Sequence, residues 1–472
     1  MTEDMLPYRE AVDYLMDRIN YERLGAEQYS SYDLKLDRMR TLLDVLGNPQ
    51  DELPAVHIAG TKGKGSTSIM TASILTAAGY RVGLFTSPHL SRLEERMTIN
   101  GRPPSEPEVV RLVGELQAAV RAVDAQGEFP PVTYFEILTA MAWRFFVREQ
   151  VDIVVLEVGL GGRLDSTNVC RPDVTVITSI SYDHMHILGT TLDRIAREKA
   201  GILKAGVPLV SGVTQLEPSH AIEEIAAERG VRIVQLGRDF RYEYRSFAGQ
   251  PDLCGELGGL LNVTAAAETI SGIYLPVLGA HQGHNAAMAV AAVLQLRDRG
   301  WRLPDGAVAA GLQSVTCPVR MEVIRTNPIT ILDAAHNMAS IRACAETLEV
   351  TFSERRKHLI FATTKDKPVE EMLAYLLPRF DRVVLTQYLN NPRRFGVHEL
   401  AAAAQNFSGG EFAVAEHPAQ AWQTARQAAA ADDVICVTGS FFIAAELREF
   451  LLASEPASAA CHPPATTVAG PV

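Results

Sequence analysis

Glycines, lysines and hydroxyl side chains crowd into one stretch, Gly60-Thr61-Lys62-Gly63-Lys64-Gly65-Ser66-Thr67. An apolar run, Ala55-Val56-His57-Ile58-Ala59, precedes it and reads as a buried parallel strand; a helical stretch, Ser68 to Ala78, follows. A strand, a glycine-rich turn and a helix start make a phosphate cradle. Glycines let the backbone approach phosphate oxygens, and the unpaired N–H groups and dipole of the helix N-terminus attract negative charge. Lys64 would reach terminal phosphates, and Ser66 or Thr67 a magnesium ion. The spacing departs from the standard phosphate loop. Two residues separate Gly60 from Gly63, and Gly65 stands between Lys64 and the hydroxyls. A glycine-rich turn that binds nothing is the alternative, but strand, lysine and hydroxyls all sit where phosphate binding needs them.

Three further polar clusters follow apolar strands, the edge at which open parallel sheets bind ligands. They are Thr86-Ser87-Pro88-His89, Glu157 with the loop Gly159 to Asn168, and Ser181-Tyr182-Asp183-His184. Glu157 follows four apolar residues and should be partly buried, so it needs a cation, hydrogen bonds or a proton. Magnesium held mainly by phosphates would satisfy it, and so would a base such as Arg163. His184 alone reads as a surface or hydrogen-bonded residue rather than a ligand, since magnesium prefers oxygen, and Lys199 as an ordinary lysine on a solvated helix face. Farther on, Asp333-Ala334-Ala335-His336-Asn337 leaves a strand and starts a helix. Asp333 and His336 could meet a substrate, or Asp333 or Asn337 could serve as an N-cap. Arg320 suits a phosphate or a linker salt bridge, and Thr438-Gly439-Ser440 a site or a plain turn.

The elements that must position these groups form an α/β pattern. Helices are expected over Tyr8–Ile19 and Leu34–Leu46. Strands Val56–Ala59, Arg81–Thr86, Ile153–Val158, Val174–Ser179 and Pro208–Ser211 then alternate with helices 66–78, 106–123, 134–149, 191–200 and 218–229. That alternation means a parallel sheet covered on both faces. Residues 232–278 mix short β-like runs with Gly and Pro and read as an antiparallel elaboration, before helices 284–298 and 304–314. A boundary falls near Cys317-Pro318. A second α/β unit follows: strands Thr330–Asp333, His358–Ala362, Arg382–Leu385 and Val434–Thr438 with helices 337–350, 368–377, 397–405 and 417–431. The expected domains are 1–316 and 317–454, with a disordered tail over 455–472.

The 472 residues are 47% hydrophobic and 21% charged, enough for substantial cores. A net charge of −12 argues against a broad nucleic-acid surface. No apolar run is long enough to span a membrane, and the N-terminus lacks signal-peptide features, so a cytoplasmic protein without membrane partners is expected. The scattered cysteines read as buried free thiols.

Taken together, the ordered motifs resemble the folylpolyglutamate synthase/dihydrofolate synthase family of the Mur ligase superfamily, from about Leu36 to Leu447. The carrying residues are His57 to Ser66, Thr86 to Leu90 with Glu95-Arg96 and Ile99-Asn100-Gly101, Tyr134 to Ala140, Glu157 to Asn168, Asp183-His184 and Arg197 to Ile202. The resemblance implies an N-terminal P-loop-type ATPase domain with a mainly parallel sheet, and a smaller, Rossmann-like C-terminal α/β domain for glutamate ligation. It implies that Gly60, Thr61, Gly63, Lys64, Gly65 and Ser66 bind ATP with Asn285, Arg320 and Asp333. Ser66, Ser87, Glu157, His184 and a carbamylated Lys199 would hold Mg2+. Thr133, Tyr134, Phe135, Glu136, Leu164, Asp165 and Ser166 match segments that meet the pterin. His336 and Ser440 lie in segments for glutamate handling, with Lys64, Lys199 and His336 as the catalytic groups. The reaction implied is ATP-dependent addition of L-glutamate to dihydropteroate or to the γ-carboxylate of a folate through an acyl phosphate, by a monomer; a need for K+ stays open. A cell-wall precursor ligase and a nucleotide-dependent ATPase or switch are the alternatives; the Thr86–Leu90 and Leu160–Asn168 segments favour folate. Departures from the family are Val319 and Ala334 at common glycines, Met338 at a common proline, and Phe442 at a frequent tyrosine.

Overall fold

The computed structural model describes residues 7–22, 36–247, 257–265, 268–407 and 412–453. The expected tail over 455–472 and the start of the Leu34 helix lie outside them. The chain divides into two compact units between Cys317 and Pro318.

In the first unit, helices α1 (Tyr8–Met16) and α2 (Leu36–Val45) precede β1 (Ala55–Ala59), α3 (Lys64–Ala77), β2 (Val82–Phe85), β3 (Met97–Ile99), α4 (Glu106–Gln126), α5 (Tyr134–Arg148), β4 (Ile153–Glu157) and β5 (Pro172–Ile177). Then come α6 (Met185–Leu188), α7 (Leu192–Ala200), β6 (Leu209–Ser211), α8 (Leu216–Glu228), β7 (Ile233–Gln235), β8 (Phe240–Ser246), β9 (Gly259–Ala265), β10 (Glu268–Leu275), α9 (Ala280–Asp298) and α10 (Ala307–Gln313). The sheet has seven strands in the order β3-β2-β4-β1-β5-β6-β7. All are parallel except β3, which pairs antiparallel with β2. β1 lies at the centre and is buried along its whole length. Its residues alternate between faces: Ala55 joins a core with α1, α2, α4 and α5, while Val56 and Ile58 join one with α3, α9 and α10. This is the two-sided burial that continuous apolar strands demand.

The 232–278 segment is less simple than the expected elaboration. β7 extends the main sheet in parallel, and only β8, β9 and β10 form a separate antiparallel sheet. Helix α3 starts at Lys64 rather than 66, because Gly63 adopts a left-handed φ of 84° and caps the helix there. Likewise α9 starts at Ala280, behind Gly279.

The second unit comprises β11 (Glu322–Thr326), β12 (Ile329–Leu332), α11 (Met338–Thr351), β13 (Lys357–Phe361), α12 (Val369–Leu376), β14 (Arg382–Leu385), α13 (Val397–Gln405), β15 (Phe412–Val414), α14 (Pro418–Ala428), β16 (Val434–Thr438) and α15 (Phe441–Ala453). Its six-stranded sheet runs β11-β12-β16-β13-β14-β15, parallel except for the β11–β12 hairpin. Edge strands β11 and β15 and helix α15 are absent from the sequence reading. The first two are short and only half-buried, and so lack a clear apolar signal. Helix α15 is apolar nearly all round and shows little helical period.

Candidate active site

The loop after β1 is pinned to the exit of its neighbour β5. Thr61 N–H donates to Ser179 O (2.8 Å), Lys62 N–H to Ser179 Oγ (3.0 Å), and Thr178 Oγ1 to Lys62 O (2.6 Å). Ser181 N–H donates to Thr61 Oγ1 at 3.0 Å. Only glycine suits the two turn positions: Gly60 lies against Thr178 and Gly63 against the Asn285 carboxamide, so a Cβ at either would collide. Thr67 N–H is the first in the helix to find an intrahelical acceptor, Gly63 O, at 2.9 Å. The earlier N–H groups of α3 therefore form a concave donor cluster of the type that holds phosphate.

Lysines converge on this loop. Lys64 Nζ and Lys199 Nζ both donate to Gly60 O, at 3.1 and 3.0 Å. Lys62 Nζ pairs with Asp183 Oδ2 at 2.8 Å. Lys199 is not on a solvated face: it is 4% exposed. Its helix carries a strong apolar stripe that turns Ile195, Ala196, Lys199 and Ala200 inward together. Burial, reinforced by the Lys64 charge, lowers its pKa to about 7.

Glu157, at the end of β4, is 5% exposed and accepts from Ser87 N–H at 3.1 Å. Gly65 stands beside it; a Cβ there would lie 3.4 Å from both carboxylate oxygens. The unusual glycine between Lys64 and Ser66 thus keeps space open next to the acid. Ser66 is buried in the first turn of α3. His184 has a left-handed φ of 48° and an exposed ring, with its Nε2 3.8 Å from Asp183 Oδ1. Among the described residues, no group of three or more His, Cys, Asp or Glu side chains is arranged to hold a metal ion. A carboxylate, hydroxyls and a phosphate loop nevertheless fit magnesium, which takes few protein ligands and completes its shell with phosphate and water. Asn285 is buried on α9, where its amide donates to Gln282 Oε1 at 3.0 Å.

The segments expected to meet an acceptor fall into two kinds. Thr133 and Glu136 form the capping box of α5, and Glu136 also takes Arg38 Nε at 2.8 Å in a buried ion pair. Tyr134 is buried beneath the Arg96 guanidinium, 5.4 Å from its ring. These three residues are therefore engaged in structural contacts. Phe135 is only partly buried, packs at a tilt against the Phe85 ring with centroids 5.8 Å apart, and meets Gly159. Gly159 also borders Asp165 Oδ2. Asp165 is buried, and its carboxylate accepts from Leu160 N–H (2.8 Å), Thr167 N–H (3.0 Å) and Thr167 Oγ1 (2.5 Å). Burial pushes its pKa up, and those hydrogen bonds oppose the rise. Leu164 and Ser166 flank it, both partly exposed. His57 and Thr167 escaped the sequence reading as site residues. The Asp-x-Thr spacing of an Asx-turn was the available signal for Thr167.

In the second unit, Asn337 caps α11 by accepting from Ser340 N–H at 3.0 Å, which settles the capping alternative. Asp333 instead accepts from Met321 N–H and Ala335 N–H, both at 2.9 Å. His336 Nδ1 donates to Ala334 O at 2.8 Å, which places its proton. Gly439 N–H donates to Ala335 O at 3.0 Å, joining the exits of β12 and β16. The His336 and Ser440 segments are therefore neighbours. Ser440 Oγ accepts from Phe442 N–H at 3.2 Å, and the Phe442 ring packs 5.1 Å from Tyr388. Arg320 is half-buried between Val319 and Met321, with left-handed φ values of 50° and 52°. A β-branched residue is strained there, which explains a preference for glycine at 319. Met338 occupies the first position of α11, where proline is favoured and most residues are tolerated.

Residues 126–293 match the Mur ligase middle domain, and 319–441 the Mur ligase, glutamate ligase domain. The dihydrofolate synthase/folylpolyglutamate synthase of Bacillus subtilis is 35% identical over 418 residues, covering 88% of this chain and 94% of that one. This chain belongs to the folylpolyglutamate synthase/dihydrofolate synthase family. The Mycobacterium tuberculosis member is 39% identical over 383 residues, covering 79% of this chain and 78% of its own. A solved Mycobacterium tuberculosis folylpolyglutamate synthase, complexed with ADP and AMPPCP, superposes with a TM-score of 0.84 at 33% identity, covering 95% of this chain and 99% of the other. Among the described residues no helix is long and apolar enough to cross a membrane.

Proposed function

We infer that this chain is an ATP-dependent, ADP-forming ligase that joins L-glutamate to dihydropteroate, to the γ-carboxylate of a folate, or to both. The observation that carries this reading is the convergence of Lys64, Lys199 and Glu157 around a glycine-lined helix N-terminus at the end of the central strand. The acceptor carboxylate attacks the γ-phosphorus of ATP, ADP leaves, and an acyl phosphate forms. The amine of glutamate then attacks the acyl carbon and phosphate departs. Both partners in the first step are anions, so the site must cancel their repulsion.

Lys64 and the α3 N–H groups supply fixed positive charge for the phosphates, with Gly60, Thr61, Gly63, Gly65 and Asn285 shaping the cradle. Ser66, Ser87, Glu157 and His184 would hold Mg2+, which would neutralise phosphate charge when bound. Lys199 reacts as a carbamate. Its lowered pKa keeps a large fraction of neutral amine at pH 7, the form that adds to CO2 with loss of a proton. Modification turns a buried cation beside Lys64 into an anionic oxygen donor. Phe135, Leu164, Asp165 and Ser166 would contact the pterin, with Thr133, Tyr134 and Glu136 supporting them. The second unit would handle glutamate through His336 and Ser440; for Arg320 and Asp333, assignment to ATP rests on the family resemblance. Holding the reactants in place is worth ~7–11 kcal/mol of barrier. We further propose a cytoplasmic monomer without nucleic-acid or membrane partners, in which K+ assists ATP.

The test is phosphate release with ATP, magnesium and L-glutamate, comparing dihydropteroate, tetrahydrofolate and no acceptor. Release that requires glutamate and one acceptor establishes the ligase and identifies its substrate; release with either acceptor means a bifunctional enzyme. Acceptor-independent release overturns the assignment.

A further inference from the structure

His57 lies in the middle of β1, fully buried at 0% exposure among apolar residues, and the chemistry above gives it no task. Its Nε2 is 2.8 Å from Thr167 Oγ1, and that hydroxyl is 2.5 Å from Asp165 Oδ1. We propose that His57 and Thr167 are positioning residues for the acceptor: they hold the Asp165 carboxylate, through a His57–Thr167–Asp165 hydrogen-bond chain, in the orientation that receives an N–H edge of the pterin. This rests on the function proposed above, in which the Leu164–Ser166 segment meets the pterin.

The direction of the chain follows from counting protons. An ionised Asp165 has none to give, so the Thr167 hydroxyl donates to it. The Thr167 oxygen then accepts from His57, which puts the ring proton on Nε2. His57 Nδ1 is left bare, and it is a buried atom without a hydrogen-bond partner. The reverse order would bury an unsatisfied N–H donor, a rarer and costlier defect than a bare acceptor. The ring stays neutral, since burial and then the Lys204 charge lower its pKa to about 3. A leucine would fill this place in a buried strand without an orphaned nitrogen, so the histidine is there for its donor.

The carboxylate keeps room for a ligand. Of about four acceptor positions on a carboxylate, Oδ1 takes both Thr167 donors and Oδ2 takes Leu160 N–H. A position on Oδ2 remains, on the side where Gly159 has no side chain and the Phe135 ring lies close. A flat ring with N–H donors on its edge fits that combination of aromatic face, gap and carboxylate oxygen.

The experiment measures KM for the pterin acceptor and for ATP, with kcat, in full-length wild type, Asp165→Asn, Thr167→Val, Thr167→Ser, His57→Phe and His57→Gln. Direct pterin binding without ATP is followed by fluorescence. Thr167→Val should raise the acceptor KM and Kd about tenfold, the size of a lost hydrogen bond to a charged group, while the ATP KM stays within about twofold. Thr167→Ser should restore wild-type values. His57→Phe should act in the same direction and His57→Gln recover part of the loss; this pair carries the test if Thr167→Val does not fold. Unchanged acceptor KM in Thr167→Val and His57→Phe, with Asp165→Asn impaired, overturns the positioning chain alone. Acceptor and ATP KM rising together would also overturn it, since that is what a mere distortion of β1 produces. An unimpaired Asp165→Asn, or a wild type without acceptor-dependent turnover, overturns the acceptor assignment and this inference with it.

Discussion

Replacing Lys199 by methionine should stabilise the fold while abolishing ligation, and the gain should depend on pH. Burial lowers the Lys199 pKa from 10.5 to about 7. Between those values the unfolded chain binds a proton that the folded chain has released, so wild-type stability rises with pH across this window. Below pH 7 the whole penalty is present. About 3.5 pH units at ~1.36 kcal/mol each set a ceiling of ~5 kcal/mol. At pH 9 about 1.5 units remain, or ~2 kcal/mol. Lys199→Met removes the charge at every pH, so it should gain about 3 kcal/mol more at pH 6 than at pH 9. Loss of the bond to Gly60 O cancels in that comparison. The assay is urea unfolding of both proteins at both pH values in metal-free, CO2-free buffer. Bicarbonate added at pH 8 should then stabilise wild type only. A gain equal at pH 6 and pH 9 would refute a lysine titrating near neutrality, and with it the physical basis for carbamylation.

Other changes test separate parts of the site. Gly63→Ala meets both an αL backbone and the Asn285 carboxamide; at about 1–2 kcal/mol for the backbone alone, the ATP Kd should rise at least about fivefold, measured by calorimetry. Glu157→Gln should lower kcat by about a hundredfold or more, as loss of a charge-stabilising group does, while pterin binding measured by fluorescence is unchanged. Arg38→Met strands Glu136 in the core and should cost about 3–5 kcal/mol in urea unfolding, with Arg38→Met/Glu136→Leu recovering much of it. Cys170, Cys317, Cys344 and Cys436 are buried free thiols, with Cys170 pushed up to about 12 by burial. Mass spectrometry after alkylation should find all four unlabelled until the chain is unfolded.

The site was legible in the sequence where local chemistry and strand periodicity agree. Ala55–Ala59 could be only a buried strand, and a glycine-rich turn after it could be only a tight exit, so the strand–turn–helix unit was placed correctly. From residue type alone Lys199 reads as solvent-facing, because a lysine on an amphipathic helix ordinarily faces water, and only the family resemblance pointed inward; its burial depends on α7 packing near Gly60, well over a hundred residues away in sequence. His57 was hidden by the opposite effect. It reads as one more residue of a buried strand, and its partner Thr167 belongs to a distant loop. The early start of α3 was missed because glycine at 65 lowers helix propensity, and the compensation, space beside Glu157, is tertiary.

The wiring of β1 also sets an order of events on the ribosome. Its sheet partners are β4 and β5, and the turn that follows it is tied to Thr178–Ser181 and to Lys199. The first of these, β4, begins at Ile153, and Lys199 comes later still, so β1 at Ala55–Ala59 is made long before any of them. This fully buried strand must therefore wait unpaired while its partners are synthesised, at ~5–20 residues per second. For several seconds the nascent chain exposes it to aggregation and to chaperones. Nucleotide affinity should accordingly appear abruptly, once Lys199 and then Asn285 have left the exit tunnel, rather than accumulate as the chain grows.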